Sequence, residues 1–356
     1  MKTFLLIFFL LSFISCKTVA WTSTSLQNQT EVKIDSVAER MLIFQRNNGG
    51  WSQPGGDPVN YSKPISESLK AKLLADKNKL DATIDDRSTT LEIKTLLTAY
   101  KNTSNKTYLK AAENGIKYLL TAQNEAGGWG QWFPDTSGYH KHITYNDNAM
   151  IDVMWVLKYA AEGTNDFETI DKTLVPKAKL AVANGIQCIL KTQIVQNGTL
   201  VAWCAQHDRI TLKPAKARKF ELPSISGHES VGIVEFLMSI EKPTPEIKKS
   251  INSAVAWFEK VKIVGIKVQE IKDASLPKGR DRVVVQDPNS TVWARFYWVD
   301  TNVPFFTGRD SVPRANLADI ENERRVGYAY YGTWPAKLLA TDYPIWLKGK
   351  GKLYRP

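Results

Sequence analysis

One phrase recurs along this 356-residue chain, namely a glutamine followed by glycine and tryptophan where a helical stretch ends. It reads FQRNNGGWSQ at 44–53, QNEAGGWGQW at 123–132 and, more loosely, TQIVQNGTLVAWCAQ at 192–206. An internal repeat of this kind is typical of folds built from similar helical units. Roughly 70 to 80 residues separate the copies, which is room for about two helices and their loops. The repeat therefore predicts paired helices, each ended by glycine, with tryptophan packing back on the pair.

Apolar residues between these phrases follow the spacing of helices, whereas the last third of the chain alternates like strands. The late segments VKIVGIKVQEI, RVVVQD and VWARFYWV carry that alternation. We therefore expect a helical toroid around a central cleft, with a few short strands late in the chain. The helical stripes are Leu91, Leu96, Leu97 and Tyr100; Leu109, Ala112, Ile116, Leu119 and Leu120; and Met150, Val153, Met154 and Leu157.

The first 16 residues, MKTFLLIFFLLSFISC, have a basic start and an apolar stretch too short to span a bilayer comfortably. The ending ISC resembles the cleavage box of bacterial lipoproteins, which makes Cys16 the acylated first residue. We expect a lipoprotein-type signal peptide at 1–16, a polar tether at 17–35 and one domain at 36–356. The protein is then exported, as an outer-membrane or periplasmic lipoprotein or otherwise by secretion. The remaining cysteines, Cys188 and Cys204, are expected to be buried thiols.

The formal net charge of +11 favours an acidic partner. Nucleic acid, anionic lipid and acidic polysaccharide all meet that description, and charge alone does not choose among them. Export counts against nucleic acid, so no nucleic-acid partner is expected.

Two acidic stretches, TIDDRSTTLEIKTLL and ITYNDNAMIDVMWVL, open predicted helices. An aspartate before a helix is commonly an N-cap. In the first stretch, however, Thr89 and Glu92 predict a capping box, which leaves Asp85 and Asp86 free for another role. Carboxylates grouped at the mouth of a cleft suit Ca²⁺, which takes oxygen ligands, or the acid and base of a glycosidase.

Basic and aromatic residues alternate in the second half of the chain. Surface ion pairing is the ordinary explanation for such arginines. Several arginines near aromatic rings instead suit carboxylated sugars, because guanidinium binds carboxylate with two hydrogen bonds. Trp132 and Trp203, on loops that follow helices, are expected to stack on sugar rings. The arginines concerned are Arg218 near Glu221, Arg295 in a predicted strand, Arg309 before Asp310, and Arg324 and Arg325 before Tyr328.

Eight motifs follow one another in the order seen in pectate lyases of polysaccharide lyase family ten. The chain resembles these enzymes over about residues 36–350. The whole ordered set is far more specific than any one member. The motifs are IDDRSTTLEI, GGWGQWFP, ITYNDNAM, WCAQHD, PAKARKFELPSIS, ARFY, FFTGRD and ERRVGYAYYGTWP.

The resemblance implies a mainly α fold, an incomplete α/α toroid with a small β-rich part and a cleft between two halves. It further implies a monomeric catalytic domain at 36–356 that cleaves polygalacturonate by calcium-dependent β-elimination. By motif position, Asp85 and Asp147 match the acidic metal-binding groups, and Arg218 matches the base that takes the proton from C5. The substrate-binding residues expected on the same grounds, or as cleft neighbours, are Arg309, Arg295, Trp203, Trp132 and Tyr328.

Three other functions are compatible with parts of the sequence. Glutamine-tryptophan repeats and TIDD also occur in terpene cyclases, but the protonating acid of that class would have to stand where Thr83 does. A glycosidase on an α/α scaffold would use two of the carboxylates. A non-catalytic surface lipoprotein that captures pectin would use the same tryptophans and arginines.

Overall fold

The computed structural model describes residues 33–135 and 137–349. The predicted signal peptide and most of the predicted tether therefore lie outside the described residues. The described residues form one compact unit. Within the described part of the chain, no helix has the length and apolar content needed to cross a membrane.

Helices pack in sequential pairs, with α3 against α4, α5 against α6 and α7 against α8. Helix α5 is buried on nearly every side, whereas α4 and α8 each bury one apolar stripe. The helices are α1 Ser36–Phe44, α2 Glu67–Ala75, α3 Thr90–Thr103, α4 Lys106–Ala122, α5 Ala149–Glu162, α6 Leu174–Thr192, α7 Glu229–Met238, α8 Pro245–Val261, α9 Asn322–Gly327, α10 Pro335–Lys337 and, after a π-helical turn, α11 Tyr343–Leu347.

Five small antiparallel sheets accompany the helices in the described residues. The largest has the order β11-β7-β6 and contains the two long strands, while the other four are pairs of two-residue strands. The strands are β1 Ile143–Thr144, β2 Val195–Gln196, β3 Thr199–Leu200, β4 Gln206–His207, β5 Ile225–Ser226, β6 Ile263–Lys272, β7 Arg280–Ala294, β8 Phe296–Tyr297, β9 Phe306–Thr307, β10 Pro313–Arg314 and β11 Tyr331–Gly332.

The predicted fold class, a mainly α incomplete toroid with a cleft between two halves, is wrong. The described residues are 46% helical and 16% strand, and the strands form small antiparallel sheets. The long strands had been expected from their alternation. The short pairs had not, because a two-residue strand has no periodicity to detect and forms only when two loops meet.

The repeated phrase is a structural device that fastens each helix to its neighbour. Gln45, Gln123 and Gln193 stand at the ends of α1, α4 and α6, so glutamine and not glycine ends each helix. The amide of Gln123 donates to Gly127 O at 2.9 Å and to Ala181 O at 2.8 Å. The amides of the other two glutamines likewise bridge two carbonyls, one in the loop and one in a later helix.

The tryptophans of the repeat are equally regular. The indole N–H groups of Trp51, Trp129 and Trp203 each donate, over 2.8 Å, to a carbonyl of the helix that precedes them. All three rings are fully buried. The predicted packing role is therefore confirmed for Trp51 and Trp129, and it extends to Trp203. The prediction of buried thiols is also confirmed, since Cys188 and Cys204 are free and buried.

Candidate active site

Two short 3₁₀ turns carry the predicted acidic residues, Asp85–Arg87 before α3 and Asn146–Asn148 before α5. The φ angle is 45° at Asp86 and 49° at Asp147, the left-handed region that costs a non-glycine residue about 1–3 kcal/mol. Backbone strain of this kind is concentrated at functional sites. The two turns thus present matching carboxylates from matching, strained backbones.

Capping does not explain these carboxylates. Neither α3 nor α5 has a side-chain N-cap bond. The predicted capping box is also wrong, because the Thr89 hydroxyl accepts from Trp51 N at 3.0 Å and donates to Thr83 O at 2.8 Å. Glu92, its expected partner, is buried and accepts from the Tyr61 hydroxyl at 2.6 Å. Thr89 therefore fastens the turn to the repeat and leaves the carboxylates exposed to the site.

Asp86 is a candidate site residue that the sequence prediction did not select. It corresponds in backbone conformation to Asp147, whereas the selected Asp85 corresponds to Asn146. Alignment of TIDDR with TYNDN within the repeat would have revealed this correspondence. Burial, followed by the charges of Asp85 and Asp147, raises the pKa of Asp86 above its ordinary value. Carboxylates from both turns therefore repel one another, and a bound cation would relieve that repulsion.

Arg295 joins this acidic group to the other arginines. It is buried between β7 and β8, and its Nη2 donates to Asp147 Oδ1 at 2.8 Å and to Glu229 Oε1. Glu229, also missed by the sequence prediction, additionally accepts from Ser226 Oγ and lies 3.1 Å from His228 Nδ1. Burial alone would raise the pKa of Glu229, but the charges of Arg295 and His228, together with the hydrogen bonds from His228 and Ser226, outweigh it and hold that pKa well below its ordinary value. The guanidinium of Arg295 is thus held in place by the carboxylates of Asp147 and Glu229.

Asp147, His228 and Glu229 also place potential ligand atoms within 4.8 Å of one another. The guanidinium of Arg295 already contacts both carboxylates. Ca²⁺ takes six to eight oxygen ligands, which this trio does not supply. The two turns lie against each other, and they bring further carboxylate oxygens of Asp85 and Asp86 into the neighbourhood of Asp147.

Arg218, the predicted base, is partly exposed and paired with the buried Glu221. Its Nε lies 2.8 Å from Glu221 Oε2, and its Nη2 lies 2.5 Å from Glu221 Oε1. The Tyr328 hydroxyl donates to that same Oε1 at 3.0 Å. Although burial opposes the charge of Arg218, Glu221 outweighs this and raises the pKa of Arg218 above its ordinary value.

Tyr328 connects the two arginines. Its ring centre lies 4.5 Å from the guanidinium carbon of Arg295 and 5.8 Å from that of Arg218. Arg218 and Arg309 also lie over the ring of Phe220, at 5.0 and 5.9 Å. The structure therefore brings the predicted Arg218, Arg295, Arg309 and Tyr328 together around shared aromatic rings.

Of the remaining predicted residues, Trp132 belongs to this region and Trp203 does not. Trp132 is 36% exposed, and its backbone pairs with Thr83, two residues before Asp85. Trp203 is 0% exposed and its indole N–H is bound to Ile189 O. The prediction that Trp203 stacks on a sugar is therefore wrong, because the repeat uses that ring for packing.

The family model for pectic acid lyase matches residues 45–339. The chain belongs to the pectic acid lyase family. The family 10 polysaccharide lyase from Cellvibrio cellulosa has a similar structure, with a TM-score of 0.77, 33% identity and coverage of 87% of this chain and 91% of that one. A mutant of that lyase in complex with trigalacturonic acid matches with a TM-score of 0.77, 32% identity and coverage of 87% and 92%. No curated protein sequence matches the chain.

This pectic acid lyase family member is therefore a polysaccharide lyase, as the resemblance had implied. Membership of this family counts against the two alternative enzyme classes, terpene cyclase and glycosidase. It also accounts for an acidic group and an arginine group in one site, since a lyase acting on an acidic sugar must bind carboxylates and manage developing negative charge.

Proposed function

We propose that this protein is a calcium-dependent pectate lyase that cleaves de-esterified polygalacturonate by β-elimination, releasing 4,5-unsaturated oligogalacturonates. The observation that carries the proposal is the Arg295–Asp147 contact, which joins the acidic turns to the arginines. It occurs in a chain that belongs to the pectic acid lyase family. The complex of the Cellvibrio cellulosa enzyme with trigalacturonic acid supports the choice of substrate.

The reaction explains why both groups are needed. Removing the proton from C5, next to the sugar carboxylate, builds negative charge on that carboxylate. Positive charge held in place before the reaction stabilises this transition state most effectively. Arg295, fixed by Asp147 and Glu229 and lying over Tyr328, is a positioned charge of this kind.

We propose that the carboxylates of the two turns bind the calcium ion. Asp85, Asp86 and Asp147 offer hard oxygen donors, and the pKa of Asp86 is raised by burial and then by the charges of Asp85 and Asp147. Bound there, Ca²⁺ would neutralise the substrate carboxylate and acidify C5. Asp147 would share its carboxylate between that ion and Arg295, so the metal site and the arginine site depend on one another.

Arg218 is proposed as the base. Its neutral guanidine would take the C5 proton and become guanidinium, the C5–H electron pair would form the C4–C5 double bond, and the C4–O4 bond would break. The departing O4 would take a proton from water. Because Glu221 favours the charged form of Arg218, the neutral form is scarce and the rate is expected to rise with pH into the alkaline range.

The other residues of the site suit binding. Arg309 is exposed, and Glu323 orients its guanidinium through contacts of 2.9 and 3.0 Å. It is proposed to bind a substrate carboxylate, while Trp132 offers a ring for a sugar face. Pectin capture without catalysis would use the same residues and is the competing proposal.

We also propose that the protein is exported and acylated at Cys16. Ordinary secretion is the alternative. The export signal and the tether at 17–35 fit this proposal.

The test is to incubate the purified protein with polygalacturonate, with and without a calcium chelator, and to record the ultraviolet absorbance of the unsaturated product. The proposal predicts absorbance that grows with calcium and stops with chelator. Growth that continues in excess chelator would remove calcium from the proposal. Binding of polygalacturonate without any absorbance would favour the capture function.

A further inference from the structure

A second place on the molecule combines an aromatic face with unpaired positive charge. Beside Trp132 lies a cavity of about 320 Å³. Trp132, Lys141 and Arg209 line it, as does the exposed Glu125. None of the residues assigned above to the metal, the base or carboxylate binding lines this cavity.

The indole of Trp132 is held so that one face remains available. The His140 ring stacks on the other face, with ring centres 3.8 Å apart and planes 4° from parallel. His140 is in turn held by a 2.7 Å contact between Nδ1 and Gln131 Oε1. A ring fixed in this way can stack on a sugar without losing further side-chain freedom.

The two cations come from segments next to β1 and β4: Lys141 ends the 3₁₀ helix Gly138–Lys141 before β1, and Arg209 lies in the turn after β4. β1 and β4 pair Ile143 with His207, and His142 meets Asp208 at 3.8 Å at the next position outward. Lys141 precedes His142 and Arg209 follows Asp208, so the two cations flank this contact and line the same cavity. Like charges that share one cavity repel each other, and an anion bound between them would relieve that repulsion.

Neither cation has a carboxylate partner. Among the residues that the structure describes, Lys141 and Arg209 form no ion pair and no side-chain hydrogen bond. Glu125 reduces the positive charge of the lining but leaves it net positive. The arginines described above, Arg218, Arg295, Arg309 and Arg324, are by contrast each paired with a carboxylate.

We propose that this cavity is an accessory subsite that binds one uronate residue of a longer chain, with Trp132 under the sugar ring and Lys141 and Arg209 at its carboxylate. The inference rests on the proposed function, because it takes the acidic polysaccharide as the ligand. Trp132 pairs through its backbone with Thr83, close to Asp85, so a chain that occupies the site can continue into the cavity.

The subsite predicts an effect that depends on substrate length. The double variant Lys141→Ala with Arg209→Ala should raise KM for polygalacturonate roughly tenfold at unchanged kcat, because binding outside the reacting bond is lost equally in ground and transition states. Its kinetics on trigalacturonate should stay as in the wild type. Glu125→Gln should act in the opposite direction and lower KM for the polymer. The matched control is Lys248→Ala with Lys249→Ala, which removes the same charge from an exposed face of α8.

Equal losses on trimer and polymer, or an equal loss in the control pair, would overturn the subsite. Calorimetric binding of a long oligogalacturonate in chelator provides a second arm that needs no turnover. There the Lys141 and Arg209 variant should bind more weakly than the control. If the wild type forms no unsaturated product at all, the proposed function fails, and this binding comparison still decides for or against the subsite.

Discussion

Arg295 Nη2 donates to Asp147 Oδ1 over 2.8 Å, although 148 positions separate the two residues in the chain. The contact joins the strained turn before α5 to the segment between β7 and β8. The acidic turns and the arginines therefore form one site, and a change in either group should alter the other.

Asp147→Ala should weaken the use of calcium. The variant removes one carboxylate oxygen donor and one of the two anchors of Arg295, so its rate should fall by at least about tenfold at limiting calcium. Added calcium should restore part of that loss. The measurement is the rate of unsaturated product formation as a function of calcium concentration.

The control for this experiment is Glu241→Gln, which removes an exposed carboxylate away from the site. Because Asp147 does not cap α5, the Asp147 variant should melt within a few degrees of the wild type. A calcium dependence that superimposes on that of the wild type would exclude Asp147 as a metal ligand.

Gln123→Ala should destabilise the fold without altering the chemistry. It leaves the carbonyls of Gly127 and Ala181 without their shared donor, which costs about 1–3 kcal/mol. Denaturant unfolding measures this loss, and the exposed Gln269→Ala serves as the comparison. Equal stabilities of these two variants would contradict the fastening role of the repeat.

The free energy of unfolding of Glu92→Gln, compared with that of the wild type, should increase as the pH rises. Burial raises the pKa of Glu92 from 4.5 to about 7, so the folded state retains a proton that the unfolded state releases. The contribution of this retained proton to the stability of the folded state is complete below pH 4.5 and is lost as the pH rises through about 7. The lost part is at most about 3 kcal/mol.

A glutamine accepts the Tyr61 hydrogen bond but does not titrate, so the variant avoids this loss. Unfolding free energies of both proteins at pH 4.5 and pH 8 measure the effect. A difference between variant and wild type that is the same at both pH values would show that Glu92 does not titrate in this range.

The sequence predicted the long elements of the fold better than its class. Helices α3, α4 and α5 and strands β6 and β7 lie where periodicity placed them. The short strand pairs depend on contacts between distant loops, so local periodicity does not reveal them.

The site was predicted in part for the same reason. Motif order selected Arg218, Arg295, Arg309 and Tyr328, which the structure groups together. Glu229 was missed because its role arises from Arg295, 66 positions away. Trp203 was misassigned because a sequence does not distinguish a tryptophan that packs from one that faces a ligand.

Cys16→Ala tests the proposed anchor. The variant should either appear as soluble protein or keep its signal peptide, because cleavage of a lipoprotein signal follows acylation of that cysteine. Membrane fractionation and N-terminal sequencing measure the outcome. The same fractionation and the same mature N-terminus as the wild type would contradict acylation.

The central claim is that Arg218 removes the C5 proton, and Arg218→Ala tests it most directly. Single-turnover formation of the unsaturated product should fall by at least about a thousandfold, while calorimetry still detects oligogalacturonate binding, since the role belongs to the transition state. Arg218→Lys, which keeps the charge but not the guanidinium fork, should also be impaired. Unsaturated product formed by Arg218→Ala at the wild-type rate would contradict the claim.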